Sequence, residues 1–195
     1  MIAFLDGQLI EITPTQVVLG VGGVGYAVHI SLYTFEQIQG KPNCRLYTHL
    51  HIKEDAHTLY GFSGKEEREL FQKLIAVSGV GPGTARMVLS AMAPQELTQA
   101  ILSEDEDRIK SIKGIGPKSA KRLILEMKDK VSSSGAVAES IQGLPRNTMQ
   151  EEALSALVIL GFARPASEKA ISKVIKNQPV ISSVEAMIKL ALQNM

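Results

Sequence analysis

The chain has 195 residues, 45% of them hydrophobic but only 5% aromatic, with no tryptophan and a formal net charge of +1. No apolar run approaches the ~20 residues that cross a bilayer, and the single Cys44 excludes an internal disulfide framework and fits a reducing compartment. The start "MIAFLDGQLIEI" lacks the basic leader of a signal peptide, so a cytoplasmic globular protein is expected, without a deep aromatic-lined cofactor pocket.

Residues 1–62 read as short strands. "QVVLGV", "GYAVHISL", "CRLYTHLHI" and "TLYGF" are rich in β-branched, aromatic and alternating residues, with turns such as "GGVG" and "GKPN" between them. Several short strands in about sixty residues suggest a small barrel or sandwich. "GVGGVG" (20–25) matches a dinucleotide fingerprint by letter, but that motif needs a helix after it, and the strand-like "YAVHISL" follows. A glycine-rich β-turn is expected there. "HLHIKEDAH" gathers His49, His51, Glu54, Asp55 and His57, which invites a metal; solvated or barrel-lining histidines are the preferred reading, and neither metal nor cofactor is expected. Glu54 and Asp55 lie between two strand-like stretches, at a hairpin tip whose plain reading is a solvated turn.

From Ser63 the period changes. "SGKEERELFQKLIAV" opens with Ser63 and Glu66 spaced as a capping box, then sets Leu70, Leu74 and Val77 on one face. Helical patterns continue to about Lys130. "SSSGAVAESIQGLPRN" (132–147) has no periodicity and is rich in Ser and Gly, so it reads as a flexible linker spanning roughly 20–25 Å. Three short amphipathic segments follow: 149–160 capped by Thr148 with Glu151, then "PASEKAISKVIK", then one capped by Ser182 with Glu185 and ending near Leu192. The expected domains are therefore 1–62, 63–131 and 148–195, with 132–147 as the tether.

The middle segment repeats itself. "AVSGVGPGTARMVL" (76–89) aligns with "SIKGIGPKSAKRLI" (111–124) at a constant offset of 35, each copy a helix, a G-[VI]-G turn and a second helix opening at proline. A turn so tight needs positive φ, which glycine supplies without steric cost. It also lets a ligand approach the main chain at a helix N-terminus, where peptide N–H groups and partial positive charge suit phosphate. Residues 108–125 add Arg108, Lys110, Lys113, Lys118, Lys121 and Arg122 with no acid, after the acidic run "EDED" (104–107). Main-chain donors and cations, without an array aimed at base edges, predict sequence-independent, salt-dependent binding to a sugar–phosphate backbone.

This repeat resembles paired helix-hairpin-helix DNA-binding motifs. The chain as a whole resembles the RuvA family of bacterial Holliday-junction-binding proteins, through "VGGVGYAVHIS", "KEDAHTLYGF", "ELFQKLI", the two hairpins, "RLILEMKDK" and "ALVILGF" in that order. The resemblance implies a multidomain α+β protein: an OB-like β-barrel, an all-α double helix-hairpin-helix domain and a tethered three-helix, UBA-like bundle. It implies a homotetramer, single or paired face to face, that holds a four-way junction open and flat for branch migration in recombination, DNA repair and the SOS response. It implies the RuvB ATPase as motor, the RuvC resolvase on the same junction, and no catalysis by this chain.

By the same resemblance the DNA contacts fall on Gly79, Val80, Gly81, Gly83, Thr84 and Arg86 in the first hairpin and on Gly114, Ile115, Gly116, Lys118, Ser119, Lys121 and Arg122 in the second. Glu54 and Asp55 become an acidic pin at the junction centre. Leu157, Leu160, Phe162 and Leu192 mark the motor-docking patch, although in so small a bundle some must be core. One departure stands out: where the family has a basic residue after the first Gly-Val-Gly-Pro, this chain has Gly83, which leaves that hairpin to backbone N–H groups, Thr84 and Arg86. The alternatives are an enzyme built on the same modules, a structure-specific nuclease or glycosylase, and a protein-interaction scaffold that would leave the basic segment unexplained.

Overall fold

Five strands close into a barrel in the order β1-β2-β3-β5-β4: β1 (Phe4–Ile12), β2 (Gln16–Val21), β3 (Val24–Ile30), β4 (Asn43–Ile52) and β5 (His57–Phe62). All neighbours run antiparallel except β3 and β5, which meet in parallel at His29–Tyr60 and Ile30–Gly61. The period-2 alternation places Val17, Leu19, Val28, Ile30, Leu46 and Leu59 inside as one core. Gly22 and Gly23, both at positive φ, turn β2 into β3. Positive φ at two successive turn residues is the geometry a tight hairpin requires, so "GVGGVG" is a β-turn.

The computed structural model describes residues 1–139, 145–177, 181 and 183–194, which divide into two units, 1–135 and 136–195. Four of its strands fall on the four quoted stretches. β1 is not among them, and its burial shows why. Phe4, Ile10 and Ile12 face outward beside inward Leu5, and a register shift between Leu9 and Glu11 breaks the alternation. The third strand also stops before Leu32. Ser31 Oγ accepts the Thr34 N–H at 3.0 Å and starts α1 (Leu32–Ile38) instead.

Beyond the barrel come α2 (Lys65–Ile75), α3 (Pro82–Ala91), α4 (Pro94–Leu102), α5 (Glu106–Lys110) and α6 (Pro117–Glu139). Leu70, Leu74 and Val77 are buried as the spacing predicts. The expected capping box at Ser63 is not formed. Gly64 is the N-cap; the Ser63 N–H is donated to Thr34 Oγ1 at 2.9 Å, and Glu66 accepts from Gln95 Nε2 at 2.9 Å. Tertiary partners outcompete the local box.

In the second unit, α7 (Pro145–Ile159), α8 (Arg164–Asn177) and α9 (Val184–Leu192) bury Ala153, Leu157, Ala170, Ile171, Val174, Met187 and Ala191 as a separate core. The helices reach further than the sequence suggested. α6 continues to Glu139 and α7 begins at Pro145, so most of 132–147 is helical and Thr148 lies inside α7 rather than capping it. Serine and alanine tolerate a helix already nucleated, and proline suits a first turn. The cap of α9 is Ser183, whose Oγ accepts the Ala186 N–H at 3.2 Å; Ser182 lies outside the described residues.

A buried carboxylate joins barrel to helices. Glu67 on α2 is 1% exposed and accepts from Ser31 Oγ and, at 2.6 Å, from Thr34 Oγ1. Burial pushes its carboxyl above the usual carboxylate range, while the hydroxyl donors pull the other way.

Candidate nucleic-acid interface

The two hairpins match bond for bond at an offset of 35. In the first, Val77 N–H is donated to Leu74 O, Val80 N–H to Val77 O and Ala85 N–H to Gly81 O, at 3.0, 3.0 and 2.9 Å. In the second, Ile112, Ile115 and Ala120 donate to Ile109, Ile112 and Gly116, at 3.2, 3.0 and 2.9 Å. Val80 and Ile115, the residues between the glycines, are buried at 7% and 5% exposure in one continuous core. They pin each turn from below and so cannot themselves offer side chains to a ligand.

That anchoring pushes the flanking backbone outward. Gly79 and Gly114 occupy equivalent positions at φ 86° and 92°, a region where an L side chain is strained. Gly79, Gly81, Gly83, Gly114 and Gly116 are exposed, and a Cβ added at Gly79, Gly81, Gly83 or Gly116 would meet nothing within 4 Å. At Gly114 it would approach Met87 Cε of α3 to 3.1 Å, so the second turn leans on the first hairpin. Gly81, the N-cap of α3, has no capping side chain. Helix geometry then leaves the amides of Gly83 and Thr84, and of Lys118 and Ser119 in the second copy, without intrahelical partners. Each hairpin thus presents free N–H groups on an unobstructed corner, the arrangement that accommodates a phosphate.

The cations are distributed differently from what the sequence suggested. Two cations of the basic run meet "EDED": Lys110 pairs with Asp107 and Lys121 lies 3.8 Å from Glu106, while Lys128, beyond the run, pairs with Glu104. Arg108 lies 3.4 Å from Glu96, and Arg122 bonds Glu126 at 2.8 Å one turn along α6. These pairs are solvent-exposed and individually weak. Lys113 and Lys118, both exposed beside the second corner, stand in none of these ion pairs. Lys118 and Ser119 stand in the first turn of α6, beside the second corner.

Arg86 is placed differently from its repeat partner Lys121. The repeat equates it with Lys121 and so with the DNA face, but its Nη1 donates to Thr15 O at 3.1 Å and meets His29 Nδ1 at 3.2 Å, both on the barrel. The Nη1 end of this guanidinium is engaged by its own chain. With Gly83 neutral, Arg86 is the one cation among 79–86, and it is half-buried with Nη1 held on the barrel, so the first corner itself offers amides and Thr84.

Glu54 and Asp55 sit where the sequence put them, exposed at the tip of the β4–β5 hairpin. Ile52 pairs with His57 at its neck, and Lys53 N–H bonds Ala56 O at 2.9 Å. His49 and His51 share the outer face of β4 with ring centroids 6.4 Å apart, and His49 packs on Phe71 at 5.4 Å. Burial, with His51 and Arg68 nearby, lowers the His49 pKa. Among the described residues no three His, Cys, Asp or Glu gather as a metal site, and no helix is long and apolar enough to cross a membrane.

In the second unit Leu157 must be reassigned. It is 0% exposed, a core residue rather than part of a docking surface. Gly161 at φ 100° reverses the chain after α7: its N–H bonds Val158 O at 3.0 Å, and the Phe162 N–H bonds Leu157 O at 3.1 Å. This turn leaves Leu160 61% and Phe162 39% exposed, with Ile159 at 85% beside them; Leu192 of α9 is 40% exposed. Ile159 escapes a sequence reading because helical periodicity alone does not tell which of several consecutive apolar residues faces out.

Comparison with known proteins supplies the family. Residues 1–61 match the family described as RuvA N terminal domain, 71–129 the SAM-like Helix-hairpin-helix tandem, and 148–195 the RuvA, C-terminal domain. A protein of Christiangramia forsetii named Holliday junction branch migration complex subunit RuvA is 51% identical over 195 residues, covering all of both chains. Proteins of the same name from Bacteroides fragilis and Cytophaga hutchinsonii are 46% and 44% identical, covering 100% and 99% of each chain.

Proposed function

The chain belongs to the RuvA family, and on that premise we propose that it is the non-catalytic, structure-selective DNA-binding subunit of a Holliday-junction branch-migration complex. The observation that carries this reading is the pair of matched corners, whose exposed amides and open approach suit two phosphates of one backbone. Lys118, outside the ion pairs described above, adds a cation beside the second corner. Binding is then insensitive to base sequence and falls steeply with salt.

Selectivity for branched DNA rests on Glu54 and Asp55. A carboxylate and a phosphate about 6 Å apart repel by roughly 0.7 kcal/mol in water and nearer 3 kcal/mol at an effective dielectric of 20. A homotetramer, one or two to a junction, brings eight such acids per tetramer to the centre, penalising continuous duplex there while separating strands pass around them. The exposed Leu160, Phe162 and Leu192, joined by Ile159, form the surface for the RuvB motor, and RuvC shares the junction, in the cytoplasm. Residues 1–62 supply the pin, 63–131 the backbone contacts and 148–195 the docking surface, in keeping with three separate hydrophobic cores.

A gel-shift titration of four-way junction against linear duplex of equal length, over a range of salt, tests the reading. The junction should be preferred. Changing Glu54 to Gln and Asp55 to Asn should reduce that preference without weakening duplex binding. Equal affinity for both substrates in the unaltered protein would overturn the proposal.

A further inference from the structure

Arg86 stands in the helix whose N-terminus forms the first amide corner, yet points at the barrel. Its Nη1 donates to Thr15 O, in the loop between β1 and β2, and lies 3.2 Å from His29 Nδ1 on β3. One turn further, Ser90 Oγ donates to Arg86 O at 2.8 Å and accepts the Leu32 N–H at 3.0 Å, at the start of α1. Two residues four apart therefore tie one face of α3 to three separate elements of the barrel. The barrel also carries Glu54 and Asp55.

We infer that Arg86 is a positioning residue which, with Ser90 and His29, forms a polar strut fixing the first backbone-binding corner relative to the acidic pin, and so governs selectivity for branched DNA. The inference rests on the proposed junction binding. Nη1 meets both acceptors, its two N–H directions fixed by the guanidinium plane, whereas a lysine stem is one atom shorter and ends in a freely rotating ammonium. His29 has to be neutral to accept at Nδ1. Burial and the neighbouring Arg86 hold its pKa below the ordinary imidazole range, so it stays unprotonated at neutral pH. The groups facing it are Arg86 from α3 and the Tyr60 ring from β5, at 5.8 Å. With its folded pKa depressed, the stabilisation is present above the ordinary histidine pKa and is lost as pH falls through the depressed value.

The repeat itself suggests the rival role, since Arg86 aligns with Lys121. The two roles separate cleanly. If Arg86 binds a phosphate, Arg86→Ala should lower the salt slope by about one and weaken junction and duplex alike. If Arg86 is a strut, the same change should leave the slope as it was while the junction-to-duplex affinity ratio falls several-fold. Arg86→Lys should behave like Arg86→Ala in the strut role and like the parent in the phosphate-binding role, because lysine serves well as a point charge.

Binding of both variants by the full chain across salt, together with amide hydrogen exchange at Leu32, is the experiment. A reduced ratio, an unchanged slope and faster exchange at Leu32 in both variants support the strut. A shallower slope with an intact ratio, or no change in either, overturns it. If Arg86→Ala does not fold, Arg86→Lys carries the same test. If the unaltered protein fails to prefer the junction, the functional reading has failed, and exchange at Leu32 still decides whether the strut exists.

Discussion

Restoring a cation to the first corner, by Gly83→Lys, examines the proposed interface directly. Gly83 is the second residue of α3, is exposed, has no positive φ, and a Cβ there meets nothing within 4 Å. Replacing a helical glycine is worth about 0.5–1 kcal/mol, while a lysine in the first turn opposes the helix dipole by about 0.3–1 kcal/mol. The two nearly cancel, so the melting temperature should move by no more than a few degrees. Binding should respond more. One added phosphate contact steepens the logarithmic salt dependence by about 0.9, which over a fourfold change in salt is about 3.5-fold in affinity per engaged subunit. Gly83→Ala provides the control, since it restores helix propensity without charge and should leave the slope alone. Gel shifts or fluorescence anisotropy between about 50 and 200 mM salt would read the difference. If Gly83→Lys left the slope of the parent unchanged, the corner would not lie at the phosphates, and the geometry proposed for the first hairpin would be wrong.

Other residues give equally direct expectations. Lys118→Ala should lower the salt slope by about one, and Lys121→Ala should cost less affinity, because Lys121 must leave Glu106 to reach DNA; equal losses would refute the distinction. Leu157→Ala should destabilise the second unit by about 2–5 kcal/mol in a denaturation experiment, whereas Leu160→Asp should leave stability within about 0.5 kcal/mol and abolish stimulation by the motor; the reverse ranking would sink the reassignment. Glu67 has a raised folded pKa, so its contribution is present below the ordinary carboxylate pKa and lost as pH rises through the raised value. Glu67→Gln should therefore gain on the parent in melting temperature as pH is raised from acid, and a difference constant with pH would contradict this.

Features were legible in the sequence where the signal was local. The repeat at offset 35, the G-[VI]-G turns, the hydrophobic Val80 and Ile115 between their glycines, and the hairpin tip at Glu54 and Asp55 can all be read from the chain. Each follows from backbone sterics or a short hydrophobic period, and none needs a distant partner. The strands "QVVLGV" and "TLYGF" are visible for the same reason, their alternation being the signature of a surface buried on one side.

What required the tertiary structure was every choice among competing partners. Arg86 and Lys121 are equivalent in the repeat, but only Arg86 lies against Thr15 and His29, so one cation is tied to the barrel and the other is not. "EDED" directly precedes the basic run, yet folding lays Glu104 against Lys128 and Glu106 beside Lys121, partners 24 and 15 positions along the chain. Leu157 and Leu160 are three residues apart with the same side chain, and the turn at Gly161 leaves one in the core and the other in solvent. Sequence alone determined the conformations the backbone favours and the faces that had to be buried. Which charges remain free, and which leucine meets water, was decided by long-range contacts, because ion pairs and burial depend on residues brought together only when the chain closes.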